Sequence, residues 1–335
     1  MPETPDSDAA EGRALARLIR DEGARVLATL VRTTGSWSLA EDAVQDAVVR
    51  ALKTWPGDGV PPQPRAWLTV TARRCAIDVL RREAARAGKE AAAVAALEPV
   101  DAPPPSEPVL RDDLLRLLFT CCHPALPIQA QAALALPTLC GMSTAEVASA
   151  LVVSEQTMTK RLTRARGKIA AAGIPYRAPP PEELPARLQG VLTTIYLLFN
   201  EGYHASSGDG PLRRQLTAEA VRLAALVHQL LPDQVPVIGL QALLALHNAR
   251  GPARLDQHGD SVRLAEQDRT RWDQTEIRRG LELLGIALRL SPSRADPYLI
   301  QAAIAACHDL APSWEQTNWS AIVSWYDVLL RVSDT

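Results

Sequence analysis

An all-α fold is predicted for this 335-residue chain from three observations. Aromatic residues make up only 4%, alternating β-branched runs are absent, and the helix formers Ala, Leu and Arg dominate. At roughly 100–200 residues per domain the length suggests two or three domains, and a hydrophobic content of 47% supplies compact cores. Disorder would need low hydrophobicity and high net charge, and the chain has neither. Five cysteines without framework spacing fit a reduced cytosol. The acidic start, Met1 to Asp6, lacks the apolar segment of a signal peptide, and no apolar run reaches the roughly 18 residues of a membrane span. The expected location is cytoplasmic, without membrane contact.

Proline and alanine clusters divide the chain. A first block, 12–84, is followed by a linker, 85–109, that is Ala-rich and then Pro-rich through Pro103-Pro104-Pro105. A second block, 110–174, ends at a linker, 175–185, containing Pro179-Pro180-Pro181. A third block, 186–335, reads as helix after helix, divided by Pro211, Pro232, Pro236, Pro252, Pro292, Pro297 and Pro312. The net charge of −2 averages unlike segments: residues 110–174 carry 7 Lys and Arg against 4 Asp and Glu, and residues 175–335 carry 15 against 18. Any nucleic-acid contact is therefore a local matter.

In the first block Ala40, Ala43, Val44, Ala47, Val48, Ala51 and Leu52 repeat with helical period, leaving Glu41, Asp42, Gln45 and Asp46 on the opposite face. Such a face is usually only solvated. Residues 54–64 read as flexible. A basic helix follows over 66–82, with Arg74, Asp78, Arg81 and Arg82 on one side. Arg74 and Arg82 are each placed to pair with Asp78 at i, i+4, so part of the charge holds the helix. The remainder suits a phosphate backbone or single-stranded DNA.

The second block contains a helix-turn-helix. Ser143-Thr144-Ala145-Glu146 is a capping box, and Val147, Ala148 and Leu151 face a core. Val152-Val153 makes the turn, and Ser154 caps a second helix whose stripe is Met158, Leu162, Ala165 and Ile169. Its other face carries Gln156, Thr157, Lys160, Arg161, Arg164, Arg166 and Lys168. Polar residues at the leading end with cations behind are what major-groove reading requires. A solvated basic helix would share the charge but not the agreement of cap, turn and stripe.

The third block offers little chemistry. Glu201, Tyr203 and His204 lie together, and His258, Asp268 and Asp273 lie elsewhere, but no metalloprotease helix motif, nucleophile elbow or phosphate-binding loop is present. Cys121-Cys122-His123 lacks metal-ligand spacing and reads as buried packing. The block is not expected to be an enzyme or to hold a metal or cofactor. Polar clusters such as Asn200–Tyr203 and Gln267–Asp273 most often cap and cross-link loops; the alternative is a regulatory contact.

Two stretches, Glu41-Asp42-Ala43-Val44-Gln45-Asp46-Ala47 and Ala66-Trp67-Leu68 through Arg81-Arg82, resemble region 2 of extracytoplasmic-function sigma factors. The helix-turn-helix resembles their region 4, in the same order and across a similar linker. The resemblance implies a promoter-specificity subunit of RNA polymerase. Asp42, Gln45 and Asp46 would grip the β′ clamp helices, and region 4 would lie near the β flap. The 54–65 loop would accept a flipped base of the −10 element. Trp67, Arg73, Arg74, Arg81 and Arg82 would hold the opening duplex. Ser154, Gln156, Thr157, Lys160, Arg161 and Arg164 would read the −35 element. The family often has Asn where this sequence has Arg74.

The segments Tyr196–Tyr203, Phe119–Pro124, Gln267-Asp268-Arg269 with Trp272-Asp273, and Gln301–Ala306 resemble a subgroup with a long, tetratricopeptide-like C-terminal extension. Its genes lie beside those of DGPF-type proteins. There the extension is needed for activity, which makes Asn200, Glu201, Tyr203, Gln267, Asp268, Arg269, Trp272 and Asp273 candidates for a regulatory site with its own partner. No 34-residue consensus is visible in the residues themselves. In the subgroup more helices follow Leu329–Thr335, so this chain is expected to be a short homologue or trimmed at its end. A standalone ligand-responsive repressor and an enzyme fused to a DNA-binding domain are the competing classes; binding to core polymerase separates the first reading from both.

Overall fold

The structure is a computed structural model in which residues 5–87, 112–174, 179–203, 214–291 and 296–332 are described. Most of the first expected linker, the 175–178 part of the second, and His204 lie outside those residues. Among the described residues every extended element is a helix, and the sole β pairing is an isolated bridge between Leu255 and Ser261. The chain divides into two compact units, 1–190 and 191–335.

The first unit opens with three mutually packed helices, α1 (Pro5–Thr34), α2 (Trp37–Asp58) and α3 (Pro64–Ala87). Ser36 caps α2 by accepting from the Leu39 N–H. The buried face of α2 is Trp37, Ala40, Ala43, Ala47, Ala51 and Trp55, a stripe of small residues between two indoles that lets its neighbours approach closely. Two expectations are corrected here. Val44 and Val48 are only half-buried and Leu52 is exposed, so the packed stripe is narrower than the apolar pattern. The segment expected to be flexible from Thr54 remains helical to Asp58 through Pro56. Pro56 has no N–H to give the carbonyl four residues back, and α2 stops within a turn of it at Gly59, whose φ of +82° suits glycine and whose N–H donates to the Trp55 carbonyl at 3.0 Å. Pro64 begins α3, where its missing N–H has no helical partner to lose.

Four helices follow: α4 (Asp113–Cys121), α5 (Ile128–Cys140), α6 (Thr144–Ala150) and α7 (Glu155–Ala171). Asp112 caps α4, and α5 ends at Gly141 in the left-handed conformation. Cys121 and Cys122 are fully buried, and burial pushes the Cys121 thiol well up, as befits a packing residue. Gln131 donates its amide to the carbonyls of His123 and Leu126, closing the α4–α5 turn. The next helix, α8 (Leu184–Tyr203), begins inside this unit. Leu184 and Leu188 are buried and Arg187 donates to the Phe119 carbonyl at 3.0 Å. A side chain at Gly190 would meet the Gln131 amide and the Cys122 side chain. The first compact unit thus ends within α8, at Gly190.

The second unit continues α8 and adds α9 (Arg214–Leu230), α10 (Val235–Ala249), α11 (Gln274–Leu290), α12 (Pro297–Asp309) and α13 (Trp319–Val332). Every residue of α10 from Val237 to Leu246 is buried. A helix apolar all round belongs at the centre of a domain, and α10 is packed by α9, α11 and α12. A Cβ on Gly239 would lie 2.8 Å from the backbone nitrogen of Leu299, so α10 and α12 touch backbone to backbone at a position only glycine permits. Pro236 and Pro297 stand in the first turns of their helices, as expected of proline.

Candidate nucleic-acid interface

The helix-turn-helix forms as its residues dictate. Ser143 and Glu146 close the capping box reciprocally, at 3.2 and 2.6 Å. Ser154 caps α7 by accepting from the Thr157 N–H, and its hydroxyl also meets the Thr157 hydroxyl at 2.8 Å. Both side chains therefore have partners at the leading end of the helix. Met158, Leu162, Ala165 and Ile169 are buried; Gln156, Thr157, Lys160 and Arg164 are exposed and Arg161 is half-buried. The outward face thus presents amide, hydroxyl and cationic donors in the order proposed for base reading and phosphate contact.

The turn has a cost that the sequence pattern does not show. Val152 has φ of +53° and is 91% exposed. A β-branched residue in the left-handed region is strained by about 1–2 kcal/mol, and this side chain recovers nothing by packing. Val152→Gly should therefore stabilise the first unit by about 1 kcal/mol, less a few tenths for the greater freedom of glycine when unfolded. Thermal unfolding checks this, and a lower midpoint for the variant would refute the strain.

On α3, Arg73, Arg74, Arg81 and Arg82 are all exposed. The expected neutralisation by Asp78 does not occur: among the described residues Asp78 forms no ion pair, and Arg82 donates instead to its backbone carbonyl at 3.1 Å. The cationic face is left open because each side chain extends into water, where a surface pair gains little. Arg65, at the start of α3, is held by Glu22 of α1. At the α2–α3 corner Trp55 and Trp67 stand edge to face with centroids 5.3 Å apart. A cavity of about 500 Å³ opens there, lined by both indoles, Thr54, Asp58 and the 59–62 loop. The Trp55 indole N–H is buried without a hydrogen-bond partner. Trp67 is the half-buried ring of the pair and can offer a stacking surface for a planar base, while Trp55, only 4% exposed, backs it from within the core. Trp55 was not singled out from sequence, because it occurs where the helical pattern of α2 was expected to end.

On the other side of α2, Asp42, Gln45 and Asp46 are exposed, with Val49 and Leu52 exposed beside them. Glu41, their neighbour, is drawn into an ion pair with Arg166 of α7 at 2.7 Å.

The residues proposed for regulation fall into two clusters around the C-terminal end of α10. Tyr203 stacks on Phe199 and meets the His247 ring edge to face, with the Arg254 guanidinium 3.7 Å above it. Glu201 is buried and Asn200 half-buried on the same helix. In the second cluster Trp272 is buried between Arg250 and Arg269, whose guanidinium carbons lie 5.5 and 4.7 Å from its ring centre. Arg269 donates to the carbonyls of His308 and Ala311, Gln267 to that of Val262. Asp268 caps the turn at Thr270, and Asp273 caps α11 at Thr275 and Glu276. These side chains hold the 250–273 loop against α12, and only Asp268 and Asp273 are exposed.

Sequence reasoning missed the group this cluster surrounds. Arg250 Nε lies 2.6 Å from Asp309 Oδ1, with both side chains almost wholly buried. Burial pushes the Asp309 carboxyl up, against the pull of Arg250 and Arg269. His308 is held neutral, its pKa lowered to about 4 by burial and by the same two arginines. The sole signal was an acidic residue ending an apolar helix, which occurs in many proteins. Among the described residues no three His, Cys, Asp or Glu side chains gather as metal ligands would, and no helix is long and apolar enough to cross a membrane.

Comparison with known proteins adds to this geometry. The sigma-70 region 2 family matches residues 18–86 and the sigma-70 region 4 family residues 116–169. A family of unknown function, DUF6596, matches residues 187–288. An uncharacterized protein, R00370, of Rhizobium meliloti (strain 1021) is 41% identical over 326 residues, covering 92% of this chain and 73% of that protein. No solved structure matches the chain.

Proposed function

Since this chain belongs to the sigma-70 family, as a factor of the extracytoplasmic-function type in one family with the Rhizobium protein, we propose that it binds core polymerase through Asp42, Gln45 and Asp46 and reads a promoter with two separate surfaces. α3 and the Trp55–Trp67 cavity take the −10 element. The exposed face of α7, with region 4 near the β flap, takes the −35 element. The protein performs no chemistry and directs that of polymerase. The observation that carries this reading is the pairing of a capped, basic helix-turn-helix with a second, independent cationic face beside an aromatic cavity. A repressor needs the first feature and has no use for the second.

The extension is read as a regulatory body, tetratricopeptide-like in its succession of packed helices and related to the subgroup encoded beside DGPF-type proteins. It braces the first unit in a competent arrangement, aided by its net acidity against the net basicity of residues 110–174, and a partner of the extension controls that arrangement. Reconstituted transcription tests both parts. Asp46→Lys should weaken holoenzyme assembly without loss of helicity, and unchanged assembly would reduce the acidic face to a solvated one. Removing residues 191–335, at the boundary of the compact units, should abolish initiation; a rise would mean that the extension shields rather than braces.

A further inference from the structure

The sigma-70 region 4 family matches the chain only to residue 169, and the family matched by the extension begins at 187. The fold divides the chain elsewhere. The first compact unit runs to Gly190, so the first two turns of α8 lie with the helices of region 4. Leu184 and Leu188 are buried there. Arg187, 6% exposed, donates from Nη1 to the Phe119 carbonyl at 3.0 Å and from Nη2 to the Glu183 carboxylate. A Cβ on Gly190 would lie 1.8 Å from Gln131 Oε1 and 3.3 Å from Cys122 Cβ, so α8 passes α5 and the end of α4 as closely as glycine allows.

The Phe119 carbonyl is among the last four of α4, the carbonyls that a helix's own regular bonding leaves without a donor. The N–H groups of Cys122 and His123 turn back to Leu118 and Thr120. Phe119 is met from outside, by Arg187, and a guanidinium at that place also faces the negative end of the helix dipole. Arg187 is thus a cap of α4 supplied by α8. α4 packs on α5, and α5 packs on α7. We propose that residues 184–190 are a fifth helix of the domain that reads the −35 element, and that Arg187 is a positioning residue for promoter recognition. By capping α4 it fixes the frame on which α5 carries α7, while its own buried side chain stays out of reach of DNA. The inference rests on the reading of α7 as the −35 helix. It has a consequence for the extension. α8 continues unbroken past Gly190, where Val191, Ile195 and Leu198 are wholly buried and Tyr196 packs against the core of the second unit. One helix therefore belongs to both domains. A cut placed between the two family matches removes part of the DNA-reading domain together with the extension, and −35 reading is lost through the cut itself, whatever the extension regulates.

The test uses the full-length chain with Arg187→Ala, Arg187→Lys or Gly190→Leu. In the free protein, amide hydrogen exchange in α4 and α5 should quicken about 5- to 100-fold in Arg187→Ala, as expected when a buried carbonyl loses its donor, while α2 keeps its wild-type protection. Lysine still offers a charged donor and should recover part of the loss. Gly190→Leu displaces Gln131 and should quicken the same amides. Wild-type exchange in both Arg187→Ala and Gly190→Leu would overturn the assignment of α8 to the domain. Recognition is measured on the holoenzyme, as the gain in binding that a −35 element selected from a promoter library adds to templates already open at −10. That gain should fall by a similar factor in Arg187→Ala, with polymerase assembly and binding to the −10-only template unchanged. The deficit should persist on cooling to a temperature at which the α7 amides are as protected as in the wild type. A gain that returns in step with that protection would overturn positioning and leave Arg187 a stabiliser, as would a lysine variant no better than alanine. If the wild-type holoenzyme gains nothing from any −35 element, the proposed function falls, while exchange in the free chain still decides where α8 belongs.

Discussion

Asp309→Ala should cost the extension about 3–5 kcal/mol, because it leaves the Arg250 charge buried without its carboxylate. In the folded unit Arg250 is 5% exposed, and its other contacts are the Ala305 carbonyl and the face of Trp272. Water cannot replace the lost partner. A domain is stable by only about 5–15 kcal/mol, so this loss removes a large share of the total. The cost belongs to the uncompensated charge rather than to the pair's net contribution, which predicts an asymmetry. Arg250→Met combined with Asp309→Leu should recover most of the stability lost in the single variant. Denaturant unfolding of the full chain, following the transition of residues 191–335 by hydrogen exchange of the buried amides of α10 and α12, measures both. A single-variant loss below about 1 kcal/mol would show that water reaches the site and that the 250–273 loop is not clamped there.

Arg161→Ala should cost roughly 1–3 kcal/mol of promoter affinity and relax preference at one base pair of the −35 element. The residue lies behind the capped end of α7, half-buried at the edge of the Met158–Leu162 stripe, and no described residue forms an ion pair with it. It differs in this from Arg166, one turn and a half further on, which is held by Glu41. A selection from a promoter library with wild-type and variant holoenzyme distinguishes the cases. Loss of preference at one position marks base reading, and equal weakening of all sequences marks a phosphate contact. An unchanged profile at unchanged affinity would remove Arg161 from the interface.

The helix-turn-helix was legible almost residue by residue. Its signals, the Ser143–Glu146 box, the Ser154 cap and the Met158–Ile169 stripe, are local: each depends on spacings within one or two turns of one helix. The exposed arginines of α3 and the acids of α2 were legible for the same reason. Periodicity was less able to say how much of an apolar stripe is covered. Leu52 has the spacing of a core residue yet lies open to solvent, because burial depends on whether another helix arrives on that side.

What the sequence by itself determined was therefore the helical class, the caps, the faces of individual helices and the resemblance to sigma-70 regions 2 and 4. The tertiary structure alone decided which distant side chains meet: Glu41 with Arg166, Arg250 with Asp309, Trp55 with Trp67, and glycine at 239 against the backbone of Leu299. The reason is that a helix's own geometry repeats every 3.6 residues and can be read from a short window. The crossing of two helices depends instead on the shape of both surfaces at once, and on whatever else must fit between them.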